Sequence, residues 1–293
     1  MNRRPARLLA ALAATVLGAG LLTAPTPVDA APAPRKTSWT PVARATITPG
    51  VMAYTAGAQC TTNFVFTDAV GGVYLGYSAH CAGKGAATDT DGCRTASLPL
   101  GTKVDFVRGG SLVSGGTRLG GGRLAYSSWL TEKRIGTTDP NTCAHNDFAL
   151  VKVDARDVRK VNPSVPFWGG PTGIDTSGLA LGERVYSYGN SSLRGGLSVL
   201  SPKYGAGLGD ARADGGWSHP LYTVTPGVPG DSGSGFMTGG GKAIGTLSTV
   251  AIAPFPASNN LGDLARELAF AQRHSGIQGL RLTRGTKPFR GLL

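Results

Sequence analysis

From Ile47 onward, turn-forming residues cut this chain into apolar or alternating runs of about five residues. Residues 63–67, 73–77, 103–107, 124–130 and 148–153 form a first set. Residues 184–188, 197–200, 220–224 and 241–247 form a second. Glycine does much of the cutting, with 45 in the chain. Regular short strands with turn signals between them predict an all-β sandwich or barrel. A charged, proline-containing connector from Asp154 to Pro171 separates the sets, so two similar halves are expected, although no sequence repeat links them. One helix is predicted near the end, because Leu261, Leu264, Ala265 and Leu268 share a helical face. Asn259 or Asn260 is the expected cap and Gly276 the expected stop. The basic tail beyond it (Arg281, Arg284, Lys287, Arg290) is expected to fray in solvent.

The first 30 residues read as a secretory signal. Arg3, Arg4 and Arg7 precede an uncharged stretch from Leu8 to Leu22, and Val28-Asp29-Ala30 offers a cleavage site after Ala30. That stretch is shorter than the ~18–20 residues that span a bilayer. No later segment is apolar enough, so no membrane association is expected after cleavage. Residues 31–46 lack apolar periodicity and are expected to be a flexible leader or short pro-segment.

Removing the signal takes away three arginines and one aspartate, lowering the formal net charge from +12 to +10 over 263 residues. Such a chain can bury a proper core. Its charge would favour weak association with anionic cell-wall polymers. No basic-aromatic interleaving marks a nucleic-acid module. Cys60, Cys81, Cys93 and Cys143 all follow the cleavage site. In an oxidising compartment they predict two disulfides, with three connectivities open. Their spacing does not suit zinc, and nothing implies another metal, an organic cofactor or an oligomer.

Three segments carry chemistry. Gly227-Val228-Pro229-Gly230-Asp231-Ser232-Gly233-Ser234-Gly235 is a glycine-studded turn between two predicted strands, with a serine at its centre. A serine needs an imidazole to take its proton and a carboxylate to orient that imidazole. Tyr77-Ser78-Ala79-His80-Cys81 ends a strand with a histidine beside a cysteine. Asn146-Asp147-Phe148-Ala149-Leu150 puts an aspartate directly before an apolar run, where a strand can anchor it.

In the order His, Asp, Ser these segments resemble the three boxes of the chymotrypsin-like (trypsin-like) serine proteases, particularly the secreted bacterial branch. The resemblance extends from about Ile47 to the closing helix. It implies an all-β fold of two six-stranded antiparallel β-barrels around a cleft, with a C-terminal helix. The barrels would occupy residues 47–158 and 159–258, and the helix and tail 259–293. It implies a secreted, monomeric endopeptidase acting on protein or peptide substrates through an acyl-enzyme. His80 would be the general base, Asp147 its orienter and Ser232 the nucleophile. The backbone N–H groups of Gly230 and Ser232 would form the oxyanion hole. The disulfides would be Cys60–Cys81 and Cys93–Cys143. Pro226, Ser248 and Val250 would line the substrate groove. Neutral Pro226 and bulky Val250 suggest a small or medium apolar residue before the scissile bond. Some relatives insert a cleaved N-terminus near the aspartate before the serine, here Asp231. Ile47-Thr48-Pro49-Gly50 resembles such a start only loosely, since Thr46 precedes it.

Two rival readings compete with this resemblance. An α/β-hydrolase would need Ser232, Asp263 and His274 to meet. The last two lie on one predicted helix about 16 Å apart, at ~1.5 Å rise per residue. A non-catalytic binding module on the same fold would not need all three boxes, yet fold alone does not exclude it.

Overall fold

The structure is a computed structural model that describes residues 37–86, 89–210, 212–251 and 258–292. The expected signal segment lies outside the described residues, as do residues 31–36 of the expected leader; residues 37–46 are described and are not free, since Thr40 N and Thr46 N donate to the Val161 and Lys160 carbonyls. Val250 is described by its backbone alone.

The first half holds β1 (Met52–Thr55), β2 (Ala58–Thr61), β3 (Val65–Thr67), β4 (Val73–Tyr77), β5 (Lys103–Arg108), β6 (Thr117–Ser127) and β7 (Ala149–Val153). Two helices, α1 (Ser128–Ile135) and α2 (Pro140–His145), sit between β6 and β7. The second half holds β8 (Arg184–Tyr188), β9 (Pro202–Gly207), β10 (Ser218–Thr223), β11 (Gly235–Thr238), β12 (Ala243–Ala251) and β13 (Ser258–Asp263). Helix α3 (Leu264–His274) and a last short strand, β14 (Arg281–Leu282), follow.

The second half closes as a six-stranded barrel in the order β10-β13-β12-β11-β8-β9. The first half is an eight-stranded sheet, β14-β3-β4-β7-β6-β5-β1-β2, that hydrogen bonding leaves open. It is nevertheless rolled. Laid flat, β2 and β3 would stand roughly 29 Å apart at ~4.8 Å per strand. The chain from Thr61 to Val65 reaches only about 14 Å, and the Cys60–Cys81 disulfide ties β2 to the segment after β4. The expected pair of barrels is thus one closed barrel and one rolled sheet.

The alternation of side chains explains how the halves join. On β4, Val73, Leu75 and Tyr77 face the core of the first half, whereas Tyr74 faces a second core. On β7, Ala149, Val151 and Val153 face the first core and Leu150 the second. That second core also takes Trp168 and Tyr186 from the other half, and Leu264, Leu268, Phe270 and Ala271 from α3. It therefore welds both halves and the helix together. Leu179, Val185, Leu221, Phe236, Ile244, Leu247 and Leu261 fill the closed barrel.

Three local expectations are corrected, and one hairpin comes in addition to those expected. Met52–Thr61 folds as a tight hairpin, because Ala56 and Gly57 both take positive φ (49° and 92°), as hairpin turns favour. The run expected at 124–130 is strand only to Ser127, whose hydroxyl then caps α1. Residues 198–200 form a 3-10 turn rather than a strand. The closing helix starts later than expected. Leu261 belongs to β13 and points into the barrel, so Asp263 is the cap, accepting from Arg266 N at 2.7 Å.

The tail is also not frayed. Its backbone pairs with β3, and Thr283 N, Gly285 N and Arg290 N donate to Val65, Pro171 and Trp168 carbonyls. Phe289 packs edge-on against Tyr186 with ring centroids 5.3 Å apart. The strap keeps Arg281, Arg284 and Arg290 in solvent while its amides and Phe289 face protein. No helix among the described residues is long and apolar enough to cross a membrane.

Candidate active site

Register brings His80 and Asp147 together. Strands β4 and β7 are antiparallel neighbours, with Tyr77 opposite Ala149. The end of β4 and the start of β7 are therefore at the same edge, and three residues beyond Tyr77 meets two residues before Ala149. His80 Nδ1 lies 2.6 Å from Asp147 Oδ2, and the His80 backbone N–H donates to Asp147 Oδ1 at 2.8 Å. The Ser248 hydroxyl donates to Oδ2 at 2.7 Å. The imidazole is 20% exposed and the carboxylate 2%. The Trp129 indole stands 6.5 Å from the imidazole, centroid to centroid, and Cys81 bonds Cys60 right beside it.

The electrostatics follow from burial opposed by pairing. Desolvation alone would lift the Asp147 carboxyl, but the charge of His80 and the hydrogen bonds from His80 and Ser248 hold it below its ordinary value. Desolvation alone would lower His80, but the Asp147 charge and hydrogen bond hold it above its ordinary value. Pairing therefore favours the ionised carboxylate and makes the imidazole more basic.

The Ser232 loop is pinned across the cleft. The Ser232 carbonyl accepts from Thr61 N at 2.8 Å, and Gly233 N donates to the Leu247 carbonyl at 2.7 Å. In return the Ser78 hydroxyl, two residues before His80, donates to the same Leu247 carbonyl at 2.9 Å. A Cβ at Gly233, where φ is +87°, would stand 2.4 Å from Thr61 O and 2.9 Å from Ser78 N. Only glycine lets the loop press so closely on the histidine segment. Within the loop, Asp231 N, Gly233 N and Ser234 N donate to backbone carbonyls. Among the described residues, Gly230 N and Ser232 N have no such partner. Two N–H donors around Ser232 are thus without a backbone partner among the described residues. The Ser232 side chain is partly exposed, and no hydrogen bond joins it to His80 among the described residues.

Behind the serine, Asp231 is fully buried in a cluster no sequence pattern announced. Its Oδ2 meets Arg194 Nη2 at 2.7 Å and Lys203 Nζ at 3.0 Å. Burial and the neighbouring Arg194 charge hold the Lys203 ammonium below its ordinary pKa against the pull of Asp231. Arg194 and Lys203 lie 37 and 28 residues before Asp231 and carry no motif. Ile47, by contrast, is buried against Val161 with its N–H on the Lys160 carbonyl. An inserted N-terminus at Asp231 is not what this structure shows, because internal cations hold that carboxylate.

The remaining expected residues are placed as follows. Pro226 is partly buried, and its carbonyl accepts from Arg194 at 2.9 Å. Ser248 is committed to Asp147. Strand β12 pairs with β11 only up to Thr246, so its edge from Ser248 to Ala251 has no strand beside it among the described residues. The backbone of Val250 lies on that edge. The disulfides are Cys60–Cys81 and Cys93–Cys143. Among the described residues, two clusters have ligand-like spacing, Cys60-His80-Cys81 and Asp91-Cys93-Cys143. All four sulfurs are bridged, which leaves one other donor in each.

No family model matches the chain, and no curated protein does. Solved structures do. Thermobifida fusca Protease A is 16% identical, with a TM-score of 0.48, covering 82% of this chain and 99% of its own. Nocardiopsis protease is 18% identical at TM-score 0.45, covering 80% and 98%. The chymotrypsin of Cellulomonas bogoriensis is 16% identical at 0.45, covering 81% and 98%. The chain is similar in structure to bacterial chymotrypsin-like serine proteases.

Proposed function

We propose that this chain is a secreted serine endopeptidase that hydrolyses peptide bonds through Ser232, His80 and Asp147. The observation that carries the reading is the buried Asp147–His80 pair, 2.6 Å apart, facing a loop pinned to the histidine segment with Ser232 at its centre.

The chemistry follows from those roles. Ser232 Oγ attacks the scissile carbonyl carbon as His80 Nε2 takes the hydroxyl proton. The carbonyl oxygen becomes an oxyanion, met by the N–H groups of Gly230 and Ser232. Donors preset for that charge are worth ~10²–10³ in rate each. The C–N bond then breaks, and the amine leaves with the proton from His80. Water attacks the acyl-Ser232 ester by the same route in reverse, releasing the acid. Asp147 keeps the Nδ1 proton in place and stabilises the imidazolium. The open edge of β12 offers main-chain groups to an extended peptide. With Asp231 held by Arg194 and Lys203, the loop needs no new terminus to take its shape.

The test is reaction with a fluorophosphonate, read by intact mass, beside a Ser232→Ala control. One adduct on the wild type and none on the control is expected. No adduct on folded, disulfide-bonded protein, before and after removal of residues 31–46, would replace the reading with a non-catalytic binding module.

A further inference from the structure

A cavity of about 230 Å³ opens beside the Asp147–His80 pair. Thr90, His145, Ser248, Thr249 and Asn260 give it a polar wall. Ser248 fixes its place, because its hydroxyl is 2.7 Å from the carboxylate that holds His80 at 2.6 Å. An extended peptide advances ~3.3 Å per residue. The cavity therefore lies roughly two or three residues from the bond that Ser232 would attack. It also abuts the open edge of β12, to which Ser248 and Thr249 belong.

Asn260 sets its chemistry. Among the described residues, Asn260 Oδ1 is buried without a hydrogen-bond partner. A buried acceptor left unpaired is costly, and a matching donor on a bound chain would remove that cost. Opposite stands His145, 27% exposed, with Nε2 3.7 Å from Asp214. Burial holds this imidazole below its ordinary pKa, against the pull of Asp214. A carboxylate entering here would meet an unpaired acceptor, a largely neutral imidazole and a nearby aspartate. An ammonium could pair with that acceptor but carries no acceptor of its own for the hydroxyl and imidazole donors of the Thr90, Thr249 and His145 wall. A carboxamide carries donor and acceptor together, so it pairs with Asn260 whichever end of that amide turns towards it.

Resting on the endopeptidase reading, we infer that this cavity is a side-chain subsite selecting asparagine or glutamine two or three residues from the scissile bond. Asn260 is its recognition residue, with His145 and Thr249 closing the polar wall.

The experiment uses the full secreted chain and a peptide library randomised on both sides of the cut, with products read by mass spectrometry. Asn and Gln should be enriched at one position two or three residues from the cut. Matched peptides with Gln or Leu there should differ in kcat/KM by about tenfold or more, as sites built to hydrogen-bond a substrate group discriminate. Asn260→Leu should bring that ratio close to one, mainly through KM, and Thr249→Val should reduce it. If Asn260→Leu does not fold, Thr249→Val and the wild-type ratio decide. Cleavage with no amide preference at that distance overturns the inference and leaves the endopeptidase standing, as does a ratio unchanged in the variants. No cleavage and no Ser232 adduct overturns both.

Discussion

Arg194 and Asp231 form a buried ion pair, 2.7 Å apart, directly behind Ser232, and Lys203 completes it from β9 at 3.0 Å. Removing the shared anion should be worse than removing either cation, since Asp231→Asn leaves two buried positive charges facing each other. Breaking a buried pair costs ~3–5 kcal/mol. Asp231→Asn should lose about that much in urea unfolding and slow fluorophosphonate labelling. Arg194→Met and Lys203→Met should each lose less. Equal losses in all three variants would show that the carboxylate is not the hub.

In the proposed mechanism the His80–Asp147 pair should set the acid limb of activity. Its imidazole must be neutral to act as base, and its pKa is held above the ordinary ~6.5. The limb of kcat/KM should therefore lie above pH 6.5, and Asp147→Asn should move it down while cutting the rate by about 10⁴. Stability follows the same pKa shifts. The raised His80 contributes below its unfolded pKa and loses that contribution as pH rises through the folded one. The lowered Asp147 contributes above its unfolded pKa and loses it as pH falls through the folded one. A limb below pH 6.5 would show that the pair is not engaged in solution.

Glu132 carries an opposite penalty. It is fully buried beside the Cys93–Cys143 disulfide, and burial first, then the charge of Asp147, raises its pKa to about 9. The folded chain therefore keeps a proton there that the unfolded chain releases above the ordinary ~4.5. Stability should fall between those values by up to ~1.4 kcal/mol per pH unit. Glu132→Gln mimics the neutral acid. Urea midpoints should show it more stable than wild type at pH 8 and similar at pH 4. No pH-dependent difference would refute this account.

The strap after α3 clamps the two halves. Phe289 packs on Tyr186 and over Gly241, where a Cβ would lie 2.5 Å from its ring. Phe289→Ala should cost about 1–3 kcal/mol, less than the ~3–5 of a fully buried Phe because this one is only partly buried. Arg284→Ala, with its side chain in solvent, should stay within ~0.5 kcal/mol. Thermal unfolding of the two variants separates packing from charge.

How far the sequence could be read depends on whether a residue's partner is local or remote. Period-two runs such as 73–77 and 148–153 announced β4 and β7 because each buries alternate faces, and their flanks carried His80 and Asp147. The β1–β2 hairpin was not legible, since its turn rests on a positive φ at Ala56, which residue type does not advertise. The helix boundary was misread because Leu261 matches helical spacing and also the inward face of β13. Only the barrel's register chooses between them.

The sequence by itself determined the strand-rich class, the two-set layout and the three chemical segments, because these rest on local patterns of polarity and turn formers. The tertiary structure alone decided what stands around them. It turned Ser248 onto Asp147, set Arg194 and Lys203 on Asp231 and opened a polar cavity at Asn260. It also laid the basic tail down as a strap. Each of those contacts joins residues tens to hundreds of positions apart, and what fixes them is strand register and the packing of two cores.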